Sequence, residues 1–294
     1  MFRASAKKRA EQLHEEAMAL DDAGDADAAL KKYLEALELD FSRPTTHYNI
    51  GLIYKYRRQW PESFRYNKRA AELAPEDEAA NWNLAIAATA LRDWKTARAV
   101  WHRLGMPIEE GETPIEDDFG LTPVRLEPDG SAEVVWARRV DPVRGSIASV
   151  PYPGSGFRYG DVVLHDGAAV GYRLLEGKER PVFNVLELFS ASRFGTYEAE
   201  LRAAQPEDIK ALEAICEALA LPAEDWTSSV RTLCKQCSEG RPHEKHDHER
   251  AEQWEDRHRV GFASTDEAAV RQALAQWEGG ARKVERFELA LSPP

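Results

Sequence analysis

The chain has 294 residues, of which 43% are hydrophobic and 31% charged; this balance is typical of globular proteins, and the length favours two or three domains. No apolar run approaches the roughly 18 residues needed to span a membrane. The net charge of −12 is uneven, because residues 1–108 contain 17 basic and 16 acidic side chains and the remaining residues contain 22 and 35. This acidic excess argues against general nucleic-acid binding, because phosphate contacts need a positive surface.

The N-terminal residues MFRASAKKRAEQ are basic, but no apolar segment follows them, so they do not look like a secretory signal. The chain has three cysteines, Cys216, Cys234 and Cys237. This odd, low number argues against a framework of disulfides. We therefore expect a cytoplasmic protein.

An internal repeat of 34 residues organises the first third of the chain. At this offset small residues align at Ala17, Gly51 and Ala85, and Trp60 aligns with Trp94. Small residues at fixed positions indicate pairs of helices that approach each other closely. The breaks between helices also recur at this spacing: Gly24-Asp25, Arg58-Gln59 and Arg92-Asp93.

This pattern resembles the tetratricopeptide repeat over roughly residues 10–108. The second unit matches the family best, and its signature positions are Ile50, Gly51, Tyr54, Ser63, Ala70 and Pro75. The resemblance implies a stack of three helix pairs with a curved, open inner surface. The alternative is an ordinary helical bundle.

In the family, the first helix of each repeat supplies most of the inner surface, which binds a protein or peptide partner. The resemblance places these residues there: His14, Met18, Tyr48, Asn49, Leu52, Lys55, Trp82, Asn83 and Ile86. Aromatic side chains provide large contact areas in such surfaces. The alternative is that Tyr48 and Trp82 only pack between helices.

The stretch Lys55–Arg69 contains six basic residues and one acidic residue, with four aromatic residues among them. Three interpretations are open. The stretch is a solvated helix face with its aromatic residues turned inward, or it binds an acidic protein surface, or it binds single-stranded nucleic acid.

Residues 109–118 are acidic, contain Gly and Pro, and read as a linker. Residues 119–192 then change to short runs rich in β-branched and aromatic residues, with turn residues that include Asp166-Gly167 between two runs. We expect a small antiparallel β-barrel or sandwich, with strands at residues 133–140, 145–150, 161–165 and 182–189.

Residues 193–294 alternate between strand and helix patterns in the order βαββαβ. The expected helices start at Pro206 and at Thr265 or Asp266, and the second closes at Gly279. The expected strands cover residues 196–203, 226–233, 258–264 and 282–291. This order resembles a ferredoxin-like domain, which many unrelated functions share. The predicted fold class is thus a multidomain protein, α plus α+β.

An insertion at residues 234–258 contains a cluster of cysteine and histidine. Thiolates at Cys-x-x-Cys spacing together with imidazoles suit a structural zinc ion. The candidate ligands are Cys234, Cys237, His243, His246 and His248, with His258 further on. The alternatives are a solvated polar loop and a thiol redox pair.

Taken together, these patterns favour an interaction scaffold without catalytic residues that binds a protein partner through the repeat groove. A bacterial immunity-type protein that neutralises a toxin or effector is one version, since the acidic C-terminal part would suit a basic partner. The alternatives are a zinc-dependent enzyme that uses Glu239, Glu244 or Glu249 as a base, and an adaptor that associates with RNA.

Overall fold

The computed structural model describes residues 2–227, except 129, 131 and 176, and residues 254–294. The chain divides into two compact units, Met1–Glu116 and Asp117–Pro294. The first unit is helical, and the second contains two β-sheets with helices on one of them. The whole chain is thus mixed α and β.

The helical unit consists of three helix–turn–helix pairs in chain order. Each pair packs against the next, as stacked repeats must in order to bury their apolar faces. The helices are α1 (Phe2–Asp22), α2 (Ala26–Leu39), α3 (Pro44–Tyr56), α4 (Trp60–Leu73), α5 (Glu78–Ala90) and α6 (Trp94–Arg103).

Side-chain caps fix where three of these helices begin. The carboxylates of Asp25, Asp77 and Asp93 accept hydrogen bonds of 3.0–3.1 Å from backbone N–H groups in the first turns of α2, α5 and α6. These bonds satisfy amides that have no partner inside the helix. Helices α3 and α4 begin instead with a proline in the first turn, Pro44 and Pro61, whose missing N–H costs nothing there.

The first helix of each pair ends in the same backbone conformation. Gly24, Arg58 and Arg92 have φ values of 84°, 57° and 59°, in the left-handed region. Around Arg58 the two hydrogen bonds of a Schellman cap form, from Arg58 N to Lys55 O and from Gln59 N to Tyr54 O, both 2.9 Å. The predicted breaks between helices coincide with these caps.

Small residues allow the helices of a pair to approach closely. A Cβ atom on Gly51 of α3 would overlap the buried side chain of Asn67 on α4. The Ser63 hydroxyl donates to the main-chain oxygen of Gly51 over 2.9 Å at the same crossing. Ala17 and Ala85, which align with Gly51, are fully buried.

A strap at residues 106–116 follows α6 and is bound to it by one arginine. The guanidinium of Arg98 donates to the main-chain oxygens of Thr113, Glu109 and Pro114 over 2.7, 2.9 and 2.8 Å. Ile108 is 5% exposed. The segment that the sequence predicts as a linker is therefore ordered against the last helix of the repeats.

Five strands form a closed barrel in the second unit, in the order β1-β2-β3-β4-β5. Neighbours pair antiparallel, and β1 and β5 close the barrel in parallel. The core includes Val124, Leu126, Val135, Ile147 and Val163. The strands are β1 (Leu121–Arg125), β2 (Val134–Arg139), β3 (Arg144–Ile147), β4 (Val162–Leu175) and β5 (Lys178–Ser190).

The turn predicted at Asp166-Gly167 is wrong. Both residues lie inside β4, where the pairing with β5 shifts between His165 and Ala169. The Asp166 carboxylate accepts from the backbone N–H of Gly167 over 2.7 Å, so the dipeptide forms a bulge rather than a hairpin turn.

The C-terminal sheet has the strand order β7-β8-β6-β9, with all pairs antiparallel. Its elements are β6 (Gly195–Arg202), α7 (Pro206–Ala218), β7 (Ala223–Asp225), β8 (Arg257–Ser264), α8 (Glu267–Trp277) and β9 (Lys283–Leu291). Strand β7 is short and ends before the predicted strand at 226–233, whose last six residues lie outside the described part of the chain. The two helices pack on one face through Leu212, Val270 and Trp277.

Trp226 joins the barrel to the other face of this sheet. Its indole N–H donates to the main-chain oxygen of Val150 over 2.9 Å, and its ring lies on Gly261, where a Cβ atom would overlap it. The Tyr152 ring meets it edge-on at 5.2 Å. The barrel and the sheet therefore share a small core, which includes Ala263.

Candidate functional site

The inner positions of α1, α3 and α5 differ widely in exposure. His14, Lys55 and Asn83 are 5%, 2% and 6% exposed, and Ile86 is fully buried. Tyr48, Asn49, Leu52 and Trp82 are partly exposed. Met18 is the most exposed member of the set, at 45%. The predicted groove thus divides into a buried layer and a surface layer.

His14 belongs to the buried layer and links the first two repeats. Its Nδ1 lies 2.9 Å from the hydroxyl of Thr46 on α3, and its ring lies 5.3 Å from that of Tyr33 on α2. Burial, and then the charge of Arg43, lower the pKa of His14, although Glu11 opposes this. His14 therefore links the two helices from a buried position that disfavours its charged form.

The two asparagines predicted to line the groove hydrogen-bond to neighbouring helices. The amide of Asn49 donates to the Tyr33 hydroxyl over 2.9 Å. The ammonium of Lys55 donates to the amide oxygen of Asn83 over 3.1 Å and so connects α3 with α5. These contacts set the spacing of the inner helices.

Trp82 packs against the last helix while part of its ring remains at the surface. Its ring meets that of Trp101, which is fully buried on α6, edge-on at 4.8 Å. Such an arrangement holds an aromatic side chain in one orientation. Trp82, Leu52 and Met18 supply apolar surface on three successive inner helices.

Most cations of the Lys55–Arg69 stretch contact side chains of their own unit. Arg57 forms a 2.7 Å ion pair with Asp27, and Arg69 forms one of 3.1 Å with Glu72. Arg65 and Lys68 lie over the rings of Tyr66 and Phe64, at 4.7 and 5.8 Å from their centroids. These contacts favour a structural helix face over a nucleic-acid surface.

The five predicted zinc ligands, Cys234, Cys237, His243, His246 and His248, lie outside the described residues, as do Glu239, Glu244 and Glu249. His258 is described and is 4% exposed. Its Nδ1 lies 2.9 Å from the carboxylate of Asp225, and its Nε2 lies 2.9 Å from the main-chain oxygen of Glu255. Both ring nitrogens are thus occupied by protein atoms. Within the described ranges, no group of three His, Cys, Asp or Glu side chains is arranged to hold a metal ion.

A family model described as "TPR repeat" matches residues 19–55. Among solved structures, the chain is similar to the "Arabidopsis OM64 TPR domain", with 18% identity and a TM-score of 0.32, over 35% of this chain and 85% of that one. No curated protein matches the chain. TPR repeats generally mediate interactions between proteins, and residues 19–55 of the helical unit match such a repeat.

The residues that hold the helices and the strap in place were not predicted from the sequence. Tyr33 accepts a hydrogen bond from Asn49, Thr46 shares one with His14, and Arg98 binds the strap. Tyr33 aligns with Asn67 and Trp101 at the 34-residue offset, and all three are buried. This alignment of large side chains could have predicted a buried position between helices.

None of the described helices is both long and apolar enough to cross a membrane.

Proposed function

We propose that the protein is an interaction scaffold that binds a partner protein or peptide on the inner face of α1, α3 and α5. The observation that carries this proposal is the apolar surface on three successive inner helices, formed by Met18, Leu52 and Trp82. Anchored apolar and aromatic side chains of this kind contribute most of the binding energy in interfaces.

The buried layer has a supporting role in this proposal. His14 and the Lys55–Asn83 pair connect successive inner helices, and Ile86 is fully buried behind the surface. Preorganisation of this kind reduces the entropy lost on binding. The proposed contact set is therefore narrower than the set predicted from the sequence.

A library of displayed peptides selected against the folded chain tests the proposal. Replacing Leu52 with arginine places a charge in the proposed surface and should weaken the selected peptides at least about tenfold. Leu39→Arg is the matched control, since Leu39 is 43% exposed on α2, a second helix. If the selected peptides bind the wild type and Leu52→Arg with equal affinity, the proposal is contradicted. It is also contradicted if no peptide that binds saturably can be selected.

The charge of the chain supports a basic partner within this proposal. Residues 109–294 contain 22 basic and 35 acidic side chains. A basic toxin or effector, neutralised as by an immunity-type protein, is the specific form that this charge suits. Its affinity should then fall steeply with ionic strength, and an affinity independent of salt would exclude this form.

We also propose that the C-terminal region is a ferredoxin-like domain with an insertion that binds zinc. The βαββαβ order and the strand order β9-β6-β8-β7 support the first part. The Cys-x-x-Cys spacing of Cys234 and Cys237, with His243, His246 and His248 close behind in the sequence, supports the second part.

Elemental analysis tests the zinc site. The wild type should contain about one zinc per chain, and Cys234→Ser/Cys237→Ser should contain none. Cys216→Ala is the control, since Cys216 is buried in the core of the C-terminal sheet. A wild type without zinc after purification without chelators would exclude the site.

A further inference from the structure

The C-terminal sheet has a long open edge at β9. In the strand order β7-β8-β6-β9, the strand β9 pairs with β6 alone among the described strands, and the strand at the opposite edge, β7, has three residues. The β-barrel closes on itself and has no such edge. An edge of nine residues presents backbone N–H and C=O groups that can bind a further strand.

The side chains of β9 show that no described part of the chain covers this edge. Five of the nine residues are exposed, and none of the nine is buried. Leu289 is 45% exposed, although it pairs with Tyr197, which belongs to the core beneath the helices. From described residues outside the sheet, a hydrogen bond reaches β9 only at its start, where the N–H of Val284 donates to the carboxylate of Glu278 over 3.1 Å.

Between two irregularities in its pairing, β9 is regular over Arg286–Leu289. Side chains alternate between the two faces of such a stretch. Arg286 and Glu288 lie on the face away from the helices and form an ion pair of 2.8 Å. Phe287 lies on the face covered by the helices, where its ring stacks on that of Tyr197. The regular stretch therefore has a charged face and an apolar face.

The order of these side chains is complementary to itself in an antiparallel pair. When a two-fold axis relates two antiparallel strands in one continuous sheet, opposed residues share a face, so the residue at the axis pairs with its own copy. With Phe287 at the axis, Arg286 of each copy lies opposite Glu288 of the other. The register thus creates two pairs of opposite charges on the face away from the helices, and such pairs stabilise a sheet.

The neighbouring registers lack this complementarity. An axis at Arg286 places that arginine opposite its own copy, and an axis at Glu288 does the same for the glutamate; like charges at opposed positions are destabilising. Charged side chains often prevent edge strands from pairing, but here they oppose only the wrong registers. On the helix side, the favoured register brings the two Phe287 rings together, with the exposed Leu289 of each copy diagonally beside them.

We propose that β9 pairs with β9 of a second copy of the chain, so that two C-terminal sheets form one antiparallel sheet of eight strands with its two-fold axis at Phe287. Main-chain hydrogen bonds and the apolar contacts provide the affinity, and the pairs of Arg286 with Glu288 set the register. Because a short stretch of each chain takes part, the dimer is reversible and its population rises with protein concentration.

Sedimentation equilibrium of the full chain at concentrations from about 1 to about 200 μM tests the proposal. The mass of the wild type should rise from that of one chain towards that of two. Glu288→Arg places two pairs of like charges in the interface and should weaken the dimer at least about tenfold. Glu213→Arg is the matched control, because it makes the same change of charge at an exposed position of α7 and should leave the dimer unchanged.

Mixing two variants separates the interface from effects within one chain. Arg286→Glu alone should dimerise as poorly as Glu288→Arg, since each variant opposes like charges to each other. A mixture of the two should form a heterodimer, because every reversed charge then lies opposite one of the other sign. A mixture that associates no more tightly than the separate variants would overturn the proposal.

A wild type that keeps the mass of one chain at every concentration would also overturn the proposal, as would equal association of Glu288→Arg and Glu213→Arg. If a β9 variant does not fold, hydrogen exchange of the wild type provides the test. The amides of β9 should exchange more slowly at the highest concentration than at the lowest, and equal rates would exclude the pairing. The repeat groove takes no part in this dimer, so failure here would leave the scaffold proposal intact.

Discussion

Arg58 occupies a backbone conformation that suits glycine better than any other residue. Its φ of 57° repeats that of Gly24 and Arg92, at the same position of the 34-residue unit. A residue with a Cβ atom pays roughly 1–2 kcal/mol in the left-handed region. Glycine occupies this position in the first repeat and avoids the strain, whereas arginine occupies it in the second and third repeats and is strained there.

Replacing Arg58 with glycine should therefore raise the free energy of unfolding by about 0.5–1 kcal/mol, as the strain relieved exceeds the added entropy of the unfolded chain. Arg57→Gly is the control of opposite sign, because Arg57 has a φ of −84° in the right-handed region and also forms an ion pair with Asp27, so this substitution should lower the free energy of unfolding. Urea unfolding measures both. Changes of the same sign would show that the cap conformation is not strained.

His165 connects the stability of the barrel to pH. Its pKa in the folded chain is about 4, below the ordinary 6.5 of an exposed histidine. Between these values the unfolded chain binds a proton that the folded chain does not, so acidification favours unfolding. The contribution of His165 is fully present above pH 6.5 and is lost as the pH falls towards 4.

His165→Gln should remove this dependence. Between pH 7 and pH 5 the wild type should lose about 2 kcal/mol more of its free energy of unfolding than the variant does. His14 and His47 are also buried with lowered pKa values, but they are present in both proteins and cancel in the comparison. Urea unfolding in buffers without phosphate measures the difference, and equal losses would show that His165 is not buried as described.

At the scale of elements, the helical repeats could be predicted and the strands only partly. The 34-residue alignment placed every break between paired helices, since caps and small residues recur with the repeat. Strand β1, Leu121–Arg125, contains Pro123 and gave no signal, and the Asp166-Gly167 turn proved to be a bulge. Local residue types do not distinguish a bulge from a turn, because the pairing strand decides between them.

The residues of the groove, too, could be predicted only in part from the sequence. The family resemblance places residues on the inner helices, but it does not show which long polar side chains reach a neighbouring helix. Lys55 and Asn83 pair with each other and are buried, whereas Leu52 remains partly exposed. The packing of α3 against α5 decides which of the predicted groove residues are buried between helices and which remain at the surface.

Gly261 tests the junction between the barrel and the C-terminal sheet. Replacing it with alanine drives a methyl group into the Trp226 indole, whose N–H is tied to Val150 O. Overpacking of this kind should lower the free energy of unfolding by about 1–3 kcal/mol. Gly154→Ala is the control, because a Cβ atom there meets no atom within 4 Å, and it should change stability by less than about 0.5 kcal/mol. Similar losses in both variants would show that Trp226 does not pack on Gly261.

At the scale of the whole molecule, the helical repeats and the rest of the chain differ in both charge and architecture. The repeats carry nearly balanced charge, and the acidic excess lies in the remaining residues. The repeats provide apolar surface on their inner helices, while the second unit provides the barrel and the C-terminal sheet. Under the scaffold proposal, partner binding therefore combines apolar contacts in the repeats with a preference for basic partners.

Site-specific photo-crosslinking tests the central proposal, binding on the inner face, most directly. Benzoylphenylalanine at Met18 on α1 is compared with the same group at Leu39 on α2, because these side chains are 45% and 43% exposed within one repeat. A peptide selected for binding should crosslink to position 18 and not to position 39. Crosslinking at position 39 alone, or equally at both positions, would contradict binding on the inner face.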